Sequence, residues 1–283
     1  MKRILGLVAS QRKLGNGEVL VKAVAAAAAV EGESELQLLR LTDLDLRPCR
    51  GCYTCLIPGK RCPIEDDLYF LAEQIQNADA IIFSAPCYVL GPAAITKLIG
   101  DRMIALAQYL EHFWGKPCVI IGTSGISGWE GYTLSALISS ARMLGWQVKD
   151  AQMFIGALPG EVLEQQSILS RATQMGQALF GPARRPSQGQ CPTCWSEIWK
   201  FPEPGRAICP LCGQEAELEH SPEGIVWKFG SPGKRYEKEP LQEHFHTWLR
   251  GKLNEYLVRR KELAEVRNPY KGGEWLTPPS SES

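Results

Sequence analysis

Through residues 1–182, short apolar runs alternate with stretches whose apolar positions recur every three to four residues. Arg3–Ala9 reads as a strand, Ser10–Gly17 as a loop and Glu18–Val30 as an Ala-rich helix. Glu35–Leu41 is a second, alternating strand, and Asp66–Gln76 a helix. Ala78–Ala85 is a buried strand, Ala93–Phe113 one long helix, Pro117–Thr123 a strand and Gly131–Leu144 a helix. Val148–Ala157 and Glu161–Phe180 supply a last strand and helix. Five strands alternating with five helices predict an α/β fold, a five-stranded parallel sheet with helices on both faces.

The pattern changes at Gly181-Pro182-Ala183-Arg184-Arg185-Pro186-Ser187, a linker composition. Residues 188–235 are rich in Pro, Gly, Cys and Trp, with short strand-like runs, and predict a small separate module. Over 236–268, Leu241, Phe245, Trp248, Leu249, Leu253, Tyr256 and Leu257 recur at helical spacing, which predicts an amphipathic C-terminal helix. The Pro- and Ser-rich end, 269–283, predicts a disordered tail.

Lys+Arg and Asp+Glu number 31 each, so the formal net charge is zero and no whole-molecule footprint for nucleic acid or anionic membrane exists. No run approaches the ~18 apolar residues of a membrane span. The apolar stretch of the N-terminus is interrupted by Ser10-Gln11-Arg12-Lys13 and is too short for a signal peptide, which predicts a cytoplasmic protein. In a reducing compartment ten cysteines point to metal ligation rather than disulfides. Eight fall into two sets of four, and Cys87 and Cys118 stand alone, both read as small buried hydrophobes.

Parallel doubly wound sheets bind ligands beyond the carboxyl ends of their strands. Three predicted loops share that edge. Ser10–Gly17 places hydroxyl, guanidinium and amide groups around a helix N-terminus, where free N–H groups suit a phosphate or, equally, the caps of an ordinary turn. Ser84–Pro92 ends a strand at Pro86 and sets Cys87 and Tyr88 beyond it, where an aromatic could cover a flat ring. Thr123–Glu130 is built of small residues that let backbone amides approach a ligand.

The order Ser10-x-Arg12-x-x-x-Asn16, Pro86-x-Tyr88 and Lys97-x-x-x-Asp101-Arg102 resembles the NADPH-dependent FMN reductase branch of the flavodoxin-like superfamily. With the first cysteine set included, the chain resembles the iron–sulfur flavoproteins of anaerobic microbes over about residues 1–180. The resemblance implies a flavodoxin-like sheet and FMN, its phosphate held by Ser10, Arg12, Asn16 and Gly17. It also implies Pro86, Tyr88, Val89 and Leu90 along the isoalloxazine, with Cys87 in the same loop and Thr123, Ser124 and Gly125 opposite. One departure stands out: the family usually carries Thr or Ser after the Asn, where Gly17 offers only its backbone N–H.

The first cysteine set, Cys49, Cys52, Cys55 and Cys62, has spacing C-x2-C-x2-C-x6-C, with Pro58-Gly59 as a turn before the last member. Three tightly spaced thiolates favour a 4Fe–4S cluster over a single zinc, which usually takes paired knuckles. The second set, Cys191, Cys194, Cys209 and Cys212, is such a pair, and resembles zinc ribbons and rubredoxin-like modules. Trp195 stands where a rubredoxin-like first knuckle carries Gly, so zinc is favoured over mononuclear iron. From Gln188 to Gly230 three basic residues face six acidic ones, a local charge of −3 that opposes nucleic-acid binding.

His112, His220, His244 and His246 are scattered and carry no catalytic assignment. The resulting expectation is a redox flavoprotein transferring electrons between a 4Fe–4S cluster, FMN and an external partner, either an electron carrier such as ferredoxin or a pyridine nucleotide. The alternatives are an NAD(P)H-dependent FMN or quinone reductase with structural zinc only, and a non-enzymatic scaffold. Apolar stripes at Met103, Leu106, Ala107 and Leu110 and at Phe245, Trp248, Leu249 and Leu253, with the oligomeric habit of the family resembled, suggest a homodimer or homotetramer.

Overall fold

The computed structural model describes every residue except 31–32, 188, 223, 274–275 and 277–283. Strands β1 (Lys2–Val8), β2 (Ser34–Arg40), β3 (Ala80–Tyr88), β5 (Pro117–Ser124) and β6 (Gln147–Ile155) form a parallel sheet in the order β2-β1-β3-β5-β6. Its central strands are apolar on both faces, as a sheet covered on both sides requires. Along β1, Ile4 and Val8 join the core under α1 (Asn16–Val30) and α7 (Gln166–Phe180). Leu5 and Leu7 join the opposite core under α2 (Leu68–Asn77) and α6 (Thr133–Met143). The same alternation runs through Ile81, Ile82 and Phe83 in β3 and through Cys118 to Ile121 in β5. Cys118 is fully buried. A two-residue strand β4 (Gly91–Pro92) folds back antiparallel on β3.

The single helix expected over Ala93–Phe113 is broken. It consists of α3 (Ala94–Asp101), α4 (Met103–Leu106), a 3-10 turn (Ala107–Tyr109) and α5 (Leu110–Phe113). Arg102 interrupts it at φ −94°, ψ 0° while its buried side chain reaches into the cysteine loop. Apolar spacing continues through these breaks, so periodicity cannot register them. The expected helix from Glu161 likewise begins as a 3-10 turn, with α7 proper starting at Gln166.

After α7 the chain crosses to a four-stranded antiparallel sheet, β7 (Lys200–Glu203), β8 (Arg206–Ile208), β9 (Glu215–Ser221) and β10 (Gly224–Phe229). This ribbon is fastened to α6: Glu197 N donates to Ser135 Oγ at 3.1 Å, and Ser139 Oγ and Tyr236 OH lie 2.8 Å apart. The C-terminal segment runs through α8 (Lys238–Gln242), a π-helical turn (Glu243–Trp248) and α9 (Leu249–Arg267). Leu241 and Phe245 pack on Ala107 and Leu110, while Met103 and Leu106 lie in the main core. The two stripes read as surplus apolar faces thus largely cover one another within the chain. Trp248 remains exposed and α9 buries no residue. Asn268–Tyr270 forms a 3-10 turn; most of the expected disordered tail lies outside the described residues. No helix among the described residues is long and apolar enough to cross a membrane.

Candidate functional site

Three loops meet at the carboxyl edge of the sheet, because β1, β3 and β5 are neighbours and parallel. Their cleft is lined by Ser10, Arg12, Gly15, Asn16 and Gly17 from the first, Pro86, Cys87 and Tyr88 from the second, and Thr123, Ser124 and Gly125 from the third. Gly156 and Ala157, in the loop after β6, complete it. Those two were not read from the sequence, which assigned residues through 157 to the strand. Val89 and Leu90 do not line the cleft. They form the tip of the β3–β4 hairpin at φ 51° and 65°, with Val89 97% exposed. A β-branched residue at positive φ is strained, and such strain concentrates where a loop is held for function.

The first loop is held from below. Glu18, in the first turn of α1, accepts from Leu14 N at 3.0 Å, Lys22 Nζ at 2.7 Å and Arg40 Nη2 at 2.8 Å. Lys22 first, then Arg40 and the Leu14 amide, outweigh the cost of burial and hold the Glu18 carboxyl down at about 2. Arg40, the last residue of β2, also donates to Ser10 O at 2.6 Å and Arg12 O at 3.3 Å. Neither Glu18 nor Arg40 was singled out from the sequence; a basic residue ending a strand at the ligand edge was the available signal.

Asn16 spends its amide internally, Nδ2 donating to Gly156 O and Oδ1 accepting from Gly160 N, both at 2.8 Å. It thereby ties the start of α1 to the loop after β6. Among the described residues the Arg12 guanidinium makes no ion pair, which leaves its charge available to a phosphate at the adjoining helix N-terminus. Gly17 sits against β3: a Cβ there would lie 2.5 Å from Ser84 Oγ. Ser84 is buried and its hydroxyl has no partner. A side chain at position 17 would have to displace the Ser84 hydroxyl. Across the cleft, Ser124 Oγ donates to Ile126 O at 3.1 Å, and the Cys87 thiol donates to Trp129 O at 3.3 Å. A narrow cleft with a free guanidinium, helix N–H groups and an aromatic wall at Tyr88 fits a flavin phosphate and ring.

Residues 2–158 match the family described as NADPH-dependent FMN reductase. The chain belongs to the NADPH-dependent FMN reductase family. It is accordingly an FMN-dependent oxidoreductase, a redox flavoprotein. Similar to it are an iron–sulfur flavoprotein of Methanocaldococcus jannaschii, 38% identical over 100 residues, covering 35% of this chain and 51% of that one. An iron–sulfur flavoprotein of Archaeoglobus fulgidus is 26% identical over 185 residues, covering 62% and 78%. A flavone synthase of Aspergillus candidus is 25% identical over 259 residues, covering 79% and 80%. Among solved structures, a flavone reductase superposes with a TM-score of 0.68 at 19% identity, over 98% of this chain and 100% of that one, a likeness of fold. The chain therefore spans about half the length of the Methanocaldococcus relative and most of the other two.

The two cysteine sets of this reductase-family chain differ in geometry. The Sγ atoms of Cys191, Cys194, Cys209 and Cys212 all lie within 4.8 Å of one another and are buried. Two pairs stand at 3.5 Å, close to the ~3.8 Å edge of a tetrahedron with metal–sulfur bonds of about 2.3 Å. The donor set fits one tetrahedral ion. Its knuckles are symmetrical: Trp195 N donates to Cys191 O and Gly213 N to Cys209 O, with Trp195 at φ 69° and Gly213 at φ 88°. Trp195 adopts the glycine-like conformation while burying its indole in the main core, with the Arg184 guanidinium 5.1 Å from the ring centroid.

The thiols of Cys49, Cys52, Cys55 and Cys62 are not drawn together to that degree among the described residues, but Cys55 lies near enough to the other three to feel their charge, and four thiols on one loop are a donor set that could hold a multi-iron cluster. Cys49 and Cys52 are exposed, Cys55 and Cys62 half-buried. Burial, with the neighbouring thiols adding, pushes Cys55 up to about 11; the Thr54 hydroxyl, donating at 3.4 Å, pulls Cys52 down. The loop is fastened by Cys62 N donating to Tyr69 OH at 2.8 Å and by Arg250 Nε donating to Leu56 O at 3.2 Å.

Proposed function

We propose that this chain passes electrons between a 4Fe–4S cluster on Cys49, Cys52, Cys55 and Cys62, FMN in the three-loop cleft, and an external electron carrier or pyridine nucleotide. The observation that carries it is the junction at Arg40. There the end of β2 grips the carbonyls of Ser10 and Arg12, and the same backbone continues into the cysteine loop. A cluster on that loop would share the sheet edge with the flavin cleft. The names of the Methanocaldococcus and Archaeoglobus relatives support the reading. Bound FMN supplies the hydride and single-electron chemistry. The chain's own residues would do the rest: Arg12 and the α1 N-terminus hold the phosphate, Asn16 fixes the α1–β6 junction, and Tyr88 borders the ring. Zinc in the Cys191–Cys212 site would clip the ribbon, which has little apolar core of its own, onto α6.

Exposed apolar side chains on the loops that bound the cleft, Leu14, Tyr88, Ile126, Trp129 and Leu158, favour a second reading, in which a flat apolar molecule such as a quinone is the acceptor and zinc the sole metal. The Aspergillus relative's name agrees with a flat aromatic substrate. The same exposed side chains would serve the proposed self-association into a dimer or tetramer, which light scattering on the holo-protein reads directly. Anaerobic purification with an ultraviolet–visible spectrum and quantified iron, sulfide, zinc and flavin separates the readings. About four iron and four sulfide per flavin, lost in Cys62→Ala with flavin retained, supports the first; flavin and zinc without sulfide supports the second.

A further inference from the structure

Arg102 is 1% exposed, and its guanidinium meets three parts of the cysteine loop. Nη1 donates to Arg47 O at 2.6 Å, just before Cys49, and to Asp66 Oδ2 at 2.5 Å, just beyond Cys62. Nη2 donates to Asp66 Oδ1 at 3.3 Å and to Cys62 Sγ at 3.5 Å. Nε is buried and has no acceptor. The Asp66 carboxylate is fully buried and accepts from Arg47 N at 3.0 Å and Leu68 N at 3.3 Å. One ion pair therefore closes both ends of the loop, and one N–H of the cation points at a sulfur.

A buried ion pair is a poor source of stability, since the cost of removing two charges from water offsets most of their attraction. Breaking a helix to install one calls for a further purpose, and the sulfur contact supplies it. Reduction of a thiolate-ligated cluster adds negative charge. A buried cation and an N–H···S hydrogen bond stabilise that added charge and raise the potential. We propose that Arg102 is a positioning residue that holds the cysteine loop shut and raises the reduction potential of the cluster the loop carries. The inference rests on the cluster reading above.

The test compares anaerobically purified holo-protein, wild type and Arg102→Gln, Arg102→Lys and Asp66→Asn, by redox titration of the cluster's electron paramagnetic resonance signal. In Arg102→Gln the ratio of reduced to oxidised cluster at the wild-type midpoint should fall at least tenfold, about 59 mV for one electron, with FMN content unchanged. Asp66→Asn removes the opposing charge and should shift the midpoint the other way. Arg102→Lys keeps the charge but not the fork, so the potential should stay nearer wild type while protease cleavage of the loop quickens. An Arg102→Gln protein with iron and sulfide intact and an unmoved midpoint overturns the proposal. If that variant loses its iron, Asp66→Asn decides, and an unmoved or more negative midpoint overturns it. Wild-type protein without iron and sulfide fails the cluster reading itself, and the inference with it.

Discussion

Replacing Gly17 by Ala tests the contact between α1 and β3 beneath the flavin cleft. The backbone there is helical, so Ala would be favoured by up to about 1 kcal/mol on propensity alone. Its Cβ, however, would lie 2.5 Å from the buried Ser84 Oγ, an overpacking that costs roughly 1–3 kcal/mol. Gly17→Ala should therefore lose up to about 2 kcal/mol, or about 4 °C in Tm at roughly 2 °C per kcal/mol for a chain of this size. Ser84→Ala removes a hydroxyl that is buried without a partner. The desolvation cost of such a group is about 1–3 kcal/mol, so this variant should be neutral or stabilised. In the double variant the new Cβ's nearest neighbour is the Cβ of residue 84, at 3.7 Å, an ordinary contact. The double-mutant cycle should then give a coupling of about 1–3 kcal/mol and restore stability, with FMN affinity kept at every corner because the helix N–H groups are unaltered. Denaturant unfolding followed by circular dichroism, with FMN release followed by fluorescence, measures each corner. Wild-type stability in Gly17→Ala alone would show that Ser84 simply turns to another rotamer; a double variant no better than Gly17→Ala would refute the contact.

Arg12→Ala should weaken FMN binding by about 10- to 100-fold, the worth of one charge-assisted hydrogen bond at roughly 1.5–3 kcal/mol, measured by flavin fluorescence titration. Glu18 has a folded-state value near 2 against an ordinary 4.5. Its contribution to stability is thus present above about 4.5 and drains away as the pH falls toward 2. Glu18→Gln should flatten the stability curve in that window, read by denaturant midpoints at stepped pH. Chelating the proposed ion at Cys191, Cys194, Cys209 and Cys212, or Cys209→Ser, should open the ribbon to protease while FMN stays bound; unchanged protection would show that the ribbon holds without metal.

The parallel sheet was legible because its cause is local. Strands covered on both faces must be apolar at successive positions, and Ile81-Ile82-Phe83 and Cys118–Ile121 say so without reference to anything distant. The loops that would hold a flavin follow from that topology, since parallel neighbours present their carboxyl ends together. The paired knuckles of the ribbon were legible for the same reason, each being a short backbone turn around its own two thiols. What tertiary structure alone decided depends on partners far along the chain. Asn16 is spoken for by Gly156 and Gly160. Arg40, at the end of the next strand, braces the first loop through the carbonyls of Ser10 and Arg12 and through Glu18. Val89 and Leu90 turn away from the cleft because a two-residue hairpin forces them outward. The break at Arg102 belongs to the same class: its apolar spacing is unbroken, and only the buried Asp66 and the cysteine loop give the backbone a reason to leave the helix. Periodicity records which side of an element is dry. Which polar group meets which across that dry side is a property of the folded chain.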